Sequence, residues 1–374
     1  MPTKKILLVQ LYSNGDCLYA SAVARQIKTD FPGCHLTWAV ASFCKDIIAG
    51  NEYIDERMVV TTVAKNDVAA FRRFRREILL RKENGEWDEV FITQIMDSNQ
   101  ANYDGCIRSA IFNGYPHPIT VPVTPVVRLL PEEVKKAAYF AEMQGLSRYK
   151  EVILFEFAPL SGQSKITREF ALSIAEHLTE NSQVAIILSS AQKIDHPSPR
   201  VIDGSSLSFR ETAALSHYCT LLLGCSSGIT WISTSDAAKQ LPMIQLLDPN
   251  TPWINAVSRD FRRFGLAEGS VIELIHFDEN SVAVCTEQAL ENFGNARKIF
   301  NQPIPLHFRT TVNIVYNLLC YCQFSAIFRH IRLNKKAYGN NMRFYMAVAK
   351  GFLIFPFRLT GNIWRKRILK RQKS

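Results

Sequence analysis

The feature that most constrains the fold is a recurring unit: a short apolar run with no polar break, then a loop of small residues, then a helical pattern. Ile6, Leu7, Leu8 and Val9 form the first run. Apolar residues in unbroken succession, rather than in alternation, suit a parallel strand buried on both faces. Tyr12, Ser13, Asn14, Gly15 and Asp16 supply the turn, and a helical pattern follows to about Phe31, where Pro32 and Gly33 break it. Further strands are expected at residues 35–40, 57–61 and 89–93, with a helix over 68–82 that is basic on its exposed side. After residue 150 the pattern restarts, with strands at 152–157, 183–188, 220–225 and 243–247 and clear helices at 170–178 and 209–216. Strand and helix in this order predict an α/β fold with parallel sheets covered on both faces. Two such halves facing one another across a cleft is the simplest architecture, with ligands beyond the carboxyl ends of the strands.

The expected division is residues 1–127 for the first half, 128–150 for a linker containing a polar helix, 151–305 for the second half and 306–374 for a basic helical tail. The tail stands out by charge. Glu291 is the last acidic residue, and the 83 residues after it hold 16 Lys or Arg. The first 291 residues hold 28 Lys or Arg against 34 Asp or Glu, a net of −6. The pI of about 9.1 therefore belongs to the tail, and it asks what anionic surface the tail meets. Nine scattered cysteines include no CxxC pair or zinc spacing, and the N-terminus carries no signal-peptide pattern. Mostly buried free thiols in a reducing cytoplasm are expected. No stretch reaches the ~18–20 apolar residues of a membrane span. The nearest approach, residues 344–359, is interrupted by Lys350, Pro356 and Arg358.

Three strand-to-helix turns are candidates for chemistry. In the first, Ser13, Asn14, Gly15 and Asp16, glycine permits a tight turn. Asp16 then stands either as a general base taking a proton from an acceptor hydroxyl or as a helix N-cap. In the second, Ser161, Gly162, Gln163, Ser164 and Lys165, backbone N–H groups and a lysine suit a phosphate, and a solvated surface lysine is the other reading. In the third, Gly224, Cys225, Ser226, Ser227 and Gly228, small residues let a pyrophosphate approach a helix N-terminus, where unpaired N–H groups favour anions. A turn kept small for packing is its alternative. The chain has no GxGxxG, no GxxxxGK[ST] and no D-x-D, which disfavours a dinucleotide dehydrogenase, a P-loop nucleotidase and a metal-held diphosphate.

At these residues the chain resembles glycosyltransferase family 9, the bacterial heptosyltransferases of lipopolysaccharide synthesis. Lys5 to Val9 followed by Ser13, Asn14, Gly15, Asp16, Cys17 and Leu18 is similar to the family's first strand and its S-x-G-D-x-aliphatic turn. Residues 158–165 with Phe170 and Ala171 resemble its donor-binding loop and lysine, and residues 207–215 and 221–232 its last block. The resemblance covers about residues 4–250. It implies a GT-B fold, two Rossmann-like domains with the acceptor on the first and the nucleotide sugar on the second. It also implies inverting, metal-independent transfer without a cofactor. Asp16 is then the base, with Ser13, Asn14 and Gly15 forming the acceptor-side turn. Lys165 and Ser164 contact phosphate, and Ser226, Ser227 and Gly228 form the diphosphate loop. Where the family usually shows D-[ST]-G-x-x-H, this chain has Ser226 for the acid and Trp231 for the histidine. That departure opens the donor identity, ADP-heptose or another nucleotide sugar, and admits a rival of another class: a catalytically inactive relative that binds a nucleotide sugar or scaffolds envelope assembly.

The implied partners are a nucleotide-sugar donor and a glycolipid or lipid-linked acceptor of the cell envelope. Residues 340–374 mix basic residues with Phe344, Tyr345, Phe352, Leu353, Phe355, Phe357, Trp364 and Ile368, the mixture of a helix lying on an anionic membrane surface. The expected location is cytoplasmic, peripheral on the inner face of the membrane. A basic solvated helix packed on the body is the alternative. No nucleic-acid module is visible, so nucleic acid is not an expected partner.

Overall fold

A computed structural model describes residues 3–157, 161–251, 253 and 255–371, the side chains of 359–371 excepted. The first sheet is built from β1 (Lys5–Val9), β2 (His35–Ala41), β3 (Glu56–Val60) and β4 (Glu89–Ile92), with α1 (Asn14–Asp30) after β1 and α2 (Val68–Glu83) before β4. All pairings are parallel, in the order β3-β2-β1-β4. The apolar run works as its pattern requires: Ile6, Leu7, Leu8 and Val9 are all buried, Ile6 and Leu8 in one core with Trp38 of β2, Leu7 and Val9 in another with Phe71 of α2. Only a single 3-10 turn, Ser42–Cys44, and no α-helix lies between β2 and β3, so the strict alternation read from the sequence lapses there.

A short helix α3 (Ile107–Phe112) and then α4 (Pro131–Met143) lead to the second sheet. Its strands are β5 (Glu151–Glu156), β6 (Val184–Ser189), β7 (Val201–Asp203), β8 (Leu221–Gly224), β9 (Met243–Leu246) and β10 (Val271–Leu274). They are again parallel, in the order β10-β9-β8-β5-β6-β7. The helices among them are α5 (Arg168–Leu178), α6 (Phe209–Leu215), α7 (Gly228–Ile232) and α8 (Val257–Arg263), and α9 (Glu279–Phe300) follows β10. Both sheets reverse strand order beside their first strand, between β1 and β4 and between β5 and β8. The loops after β1, β5 and β8 thus lie at switch points, where doubly wound sheets receive ligands.

The chain ends in α10 (Arg309–Cys320), α11 (Phe324–Tyr338) and α12 (Met342–Arg371). These helices turn back to the first half. Ile314, Leu318, Ile327 and Phe344 share a core with Ala101, Tyr103 and Ala110. Phe344, grouped by sequence with the membrane-facing residues, is only 1% exposed and packs edge-on against Phe308 at 5.3 Å. Trp364 and Ile368 have side chains outside the described residues.

The seam between the halves is closed by buried charge. Arg108 of α3 and Asp260 of α8, both fully buried, meet at 2.8 Å, and the guanidinium lies 4.5 Å from the Tyr19 ring. Arg210 of α6 reaches Glu133 of α4 at 2.7 and 2.8 Å and the carbonyls of Asp46 and Ala49 at 3.1 and 3.0 Å. Removing one partner of such a pair leaves an uncompensated buried charge, so these contacts fix how the halves meet.

Candidate active site

The loop after β1 delivers Asp16 to the seam. Ser13 is the N-cap of α1 by position, though its side chain makes no capping bond. Asp16 is therefore the third residue of the helix, in its first turn, and not the cap itself. Its carboxyl is half-buried, and burial pushes its pKa up to about 7, against the opposing pull of the Ser13 backbone N–H and the Lys65 charge. A carboxylate that titrates near neutrality at the carboxyl end of β1 has the proton affinity of a general base.

Gly15 plays a different part from the one its sequence suggests. It sits in helical backbone, and a Cβ there would lie 3.2 Å from Cδ1 of Trp231, in the other half of the molecule. The glycine makes room for an indole. Trp231 is buried against Tyr19 of α1, ring centroids 4.9 Å apart, and the Tyr19 hydroxyl accepts from Nδ2 of Asn255 at 2.9 Å. Asn14 accepts from the Cys44 thiol at 3.1 Å.

The loop after β5 is pinned to the segment after β9. Nε2 of Gln163 donates to the carbonyl of Trp253 at 2.8 Å, and its Oε1 accepts from the backbone N–H of Asn255 at 3.0 Å. Gly162, at φ +70°, uses the left-handed conformation open to glycine, and its carbonyl accepts from Thr251 at 2.8 Å. Lys165 is 77% exposed and pairs with Asp248 at 2.7 Å, an ion pair that holds the Asp248 carboxyl below its ordinary range. Ser164 is buried beside the Cys225 thiol. Ala158, Pro159 and Leu160, at the start of the loop read as donor-binding, lie outside the described residues.

The loop after β8 already holds an anion. The carboxylate of Glu156, at the end of β5 and 2% exposed, accepts from the backbone N–H groups of Cys225 and Ile229 at 3.1 and 2.9 Å. It accepts also from the hydroxyls of Ser227 and, at 2.8 Å, Thr230. Ser226, at φ +49°, donates its N–H to Gln245 at 2.7 Å and its hydroxyl to the Asn255 carbonyl at 2.7 Å. The glycines here answer to protein neighbours. A Cβ on Gly228 would strike Phe209 at 2.6 Å, and one on Gly224 would strike Thr230 and Gln245 at 2.6 and 2.7 Å.

Sequence reasoning thus singles out the three loops, and the topology brings them to the switch points. It names Gln163 only as part of a phosphate loop, without its bonds to Trp253 and Asn255, and it misses Glu156, Gln245, Asn255 and the Tyr19–Trp231–Arg108 stack. A signal for Glu156 was present, since it is an acid that directly follows four apolar residues, Val152 to Phe155, at the carboxyl end of the strand. Among the described residues no group of three His, Cys, Asp or Glu side chains is placed to hold a metal ion.

No family sequence model and no curated protein sequence matches the chain. Solved structures do match its fold. A glycosyl transferase of family 9 from Veillonella parvula aligns at TM-score 0.53 and 14% identity, over 76% of this chain and 89% of its own. The ADP-heptose LPS heptosyltransferase II of E. coli aligns at TM-score 0.50 and 12% identity, over 79% of this chain and 99% of its own. The fold is GT-B, the one these transferases share.

Proposed function

We propose that the protein is an inverting, metal-independent glycosyltransferase of the family 9 kind. It would move a heptose or related sugar from a nucleotide-sugar donor to lipopolysaccharide or another cell-envelope glycan. The observation that carries this reading is Asp16: a carboxyl group whose pKa burial raises to about 7, at the switch point of the first sheet, in a GT-B fold. Asp16 takes the proton of the acceptor hydroxyl while that oxygen attacks the anomeric carbon. The bond from that carbon to the diphosphate breaks, its electron pair leaves with the nucleoside diphosphate, and the configuration inverts. Lys165 on the facing sheet supplies a mobile positive charge for the leaving group, with Asp248 as its partner in the resting state. Ser227 and the Ile229 N–H join them when Glu156 gives way.

Glu156 also supports a second reading, an inactive GT-B relative that binds a nucleotide sugar or scaffolds envelope assembly. A carboxylate that takes four donors at the loop after β8 leaves them unavailable to a diphosphate. A melting-temperature screen of ADP-, GDP- and UDP-sugars, followed by a transfer assay with the stabilising donor, separates the two. A ligand that binds the folded state raises its melting point. Stabilisation with turnover supports the transferase, and stabilisation without turnover supports the inactive relative. No stabilisation by any donor sinks the nucleotide-sugar reading.

A further inference from the structure

The cations of the C-terminal helices differ from those of the body in having no acids to meet. From residue 298 to residue 358 no Lys or Arg forms an ion pair among the described residues. One face of α12 is spoken for. Phe344 and Val348 are buried, and at Gly351 the helix approaches α10 so closely that a Cβ would lie 2.7 Å from Cβ of Val315. Another face is open: Met342, Met346 and Leu353 are 71%, 65% and 69% exposed. Beside it runs a groove of about 580 Å³ between α12 and the start of α10, floored by Leu306, Phe308 and Val312 and rimmed by Arg309, Arg343 and Lys350.

The spacing gives this face an order. Met346 and Leu353 are two helical turns apart, as are Arg343 and Lys350, and the pairs interleave along one stripe. Cation and apolar side chain therefore alternate along a line about 15 Å long. No helix among the described residues is long and apolar enough to cross a membrane. A stripe of this composition suits the boundary between lipid headgroups and acyl chains.

We propose that the outer stripe of α12 and its groove dock the protein on an anionic phospholipid bilayer. The helix lies in the plane of the surface. Met346 and Leu353 enter the acyl boundary, and Arg309, Arg343 and Lys350 contact lipid phosphates. Charge complementarity selects this occupant over a second copy of the chain: the same cations would face one another across a two-fold contact with no acid in the stripe to relieve them. The proposal stands apart from the transferase reading, because it holds for an active and an inactive protein alike.

The test is co-sedimentation of the full chain with vesicles of phosphatidylcholine alone and of phosphatidylcholine mixed with phosphatidylglycerol. Binding is expected to the mixed vesicles only, and to fall as ionic strength rises. The double substitution Arg343→Glu with Lys350→Glu should lower the partition coefficient about 25-fold or more, each basic residue near such a surface being worth roughly fivefold. Met346→Glu with Leu353→Glu should abolish binding. All four side chains are exposed, so an unchanged melting temperature is the expected control. Wild-type protein that ignores anionic vesicles overturns the proposal. So does undiminished binding by both double variants, retention on DNA at the same salt without vesicle binding, or a dimer that either variant dissolves.

Discussion

The loops after β1 and β8 place carboxylates in opposite circumstances. Both follow an apolar strand and both open a helix. At the first, Asp16 is half-buried and raised toward neutrality, with few groups to favour its charge. At the second, Glu156 sits among two N–H groups and two hydroxyls. The difference teaches that a strand–small loop–helix turn fixes a location without fixing its chemistry. One site holds a group ready to accept a proton; the other holds a group already satisfied, and what it satisfies is the place where a diphosphate would sit.

Substitution should therefore move the two sites in opposite directions. Asp16→Asn should cut transfer on the order of 10²–10⁴-fold, the contribution of a positioned base. The same substitution should stabilise the fold. Burial raises the carboxyl from its ordinary pKa of 3.8 to about 7, so its ionised form is the less favourable one when folded. Stability from this group is full at low pH and is lost as pH rises from about 4 to about 7. Thermal melts should show the Asn variant ahead by about 1–3 kcal/mol at pH 8 and level with wild type at pH 4. A wild-type rate that does not fall below pH 7 would remove Asp16 from the chemistry.

Glu156→Gln should do the reverse, costing about 2–3 kcal/mol in denaturant melts because an amide group then faces donors that have lost their acceptor. If that variant gains affinity for inorganic pyrophosphate, Glu156 is what closes the loop after β8. If the fold is unaffected, the cage is weaker than its geometry indicates. Gly15→Val should cost about 1–3 kcal/mol by forcing Trp231 off α1, with the melting temperature as the check. Lys165→Ala should leave stability within about 0.5 kcal/mol, since its exposed ion pair is screened. The same change should weaken donor binding by about tenfold, read by calorimetry, in keeping with the loss of one phosphate contact.

These contrasts also explain what was legible beforehand. Parallel strands are buried on both faces, so β1, β5 and β8 announce themselves as unbroken apolar runs, and their ends locate the site. β7, at three residues, is too short to show a period, and α7, at five, spans little more than one turn. The chemistry within the loops depended on partners far away in sequence. Glu156 meets Ile229 across 73 positions, and Gly15 meets Trp231 across a domain seam. Gly15 and Gly228 read as turn glycines because local sequence cannot distinguish a backbone requirement from a neighbour's bulk. Ser226 reads as a phosphate ligand because a buried serine and an open one look the same in sequence.

The return of the C-terminal helices to the first half bears on how the chain is made. His330, Asn334 and Tyr338 of α11 all hydrogen-bond backbone carbonyls between Ala101 and Asp104, and Ala101 lies in the core that α10 completes. On the ribosome, the first hundred residues emerge long before the segment that covers them, and the apolar face around Ala101, Tyr103 and Ala110 waits bare through the synthesis of the whole second half. The first half is thus translated ahead of its own cover and completed only after it. A chain stopped at residue 305 should expose that face and fall to aggregation or proteolysis, whereas release of the full chain should protect residues 97–110 from hydrogen exchange.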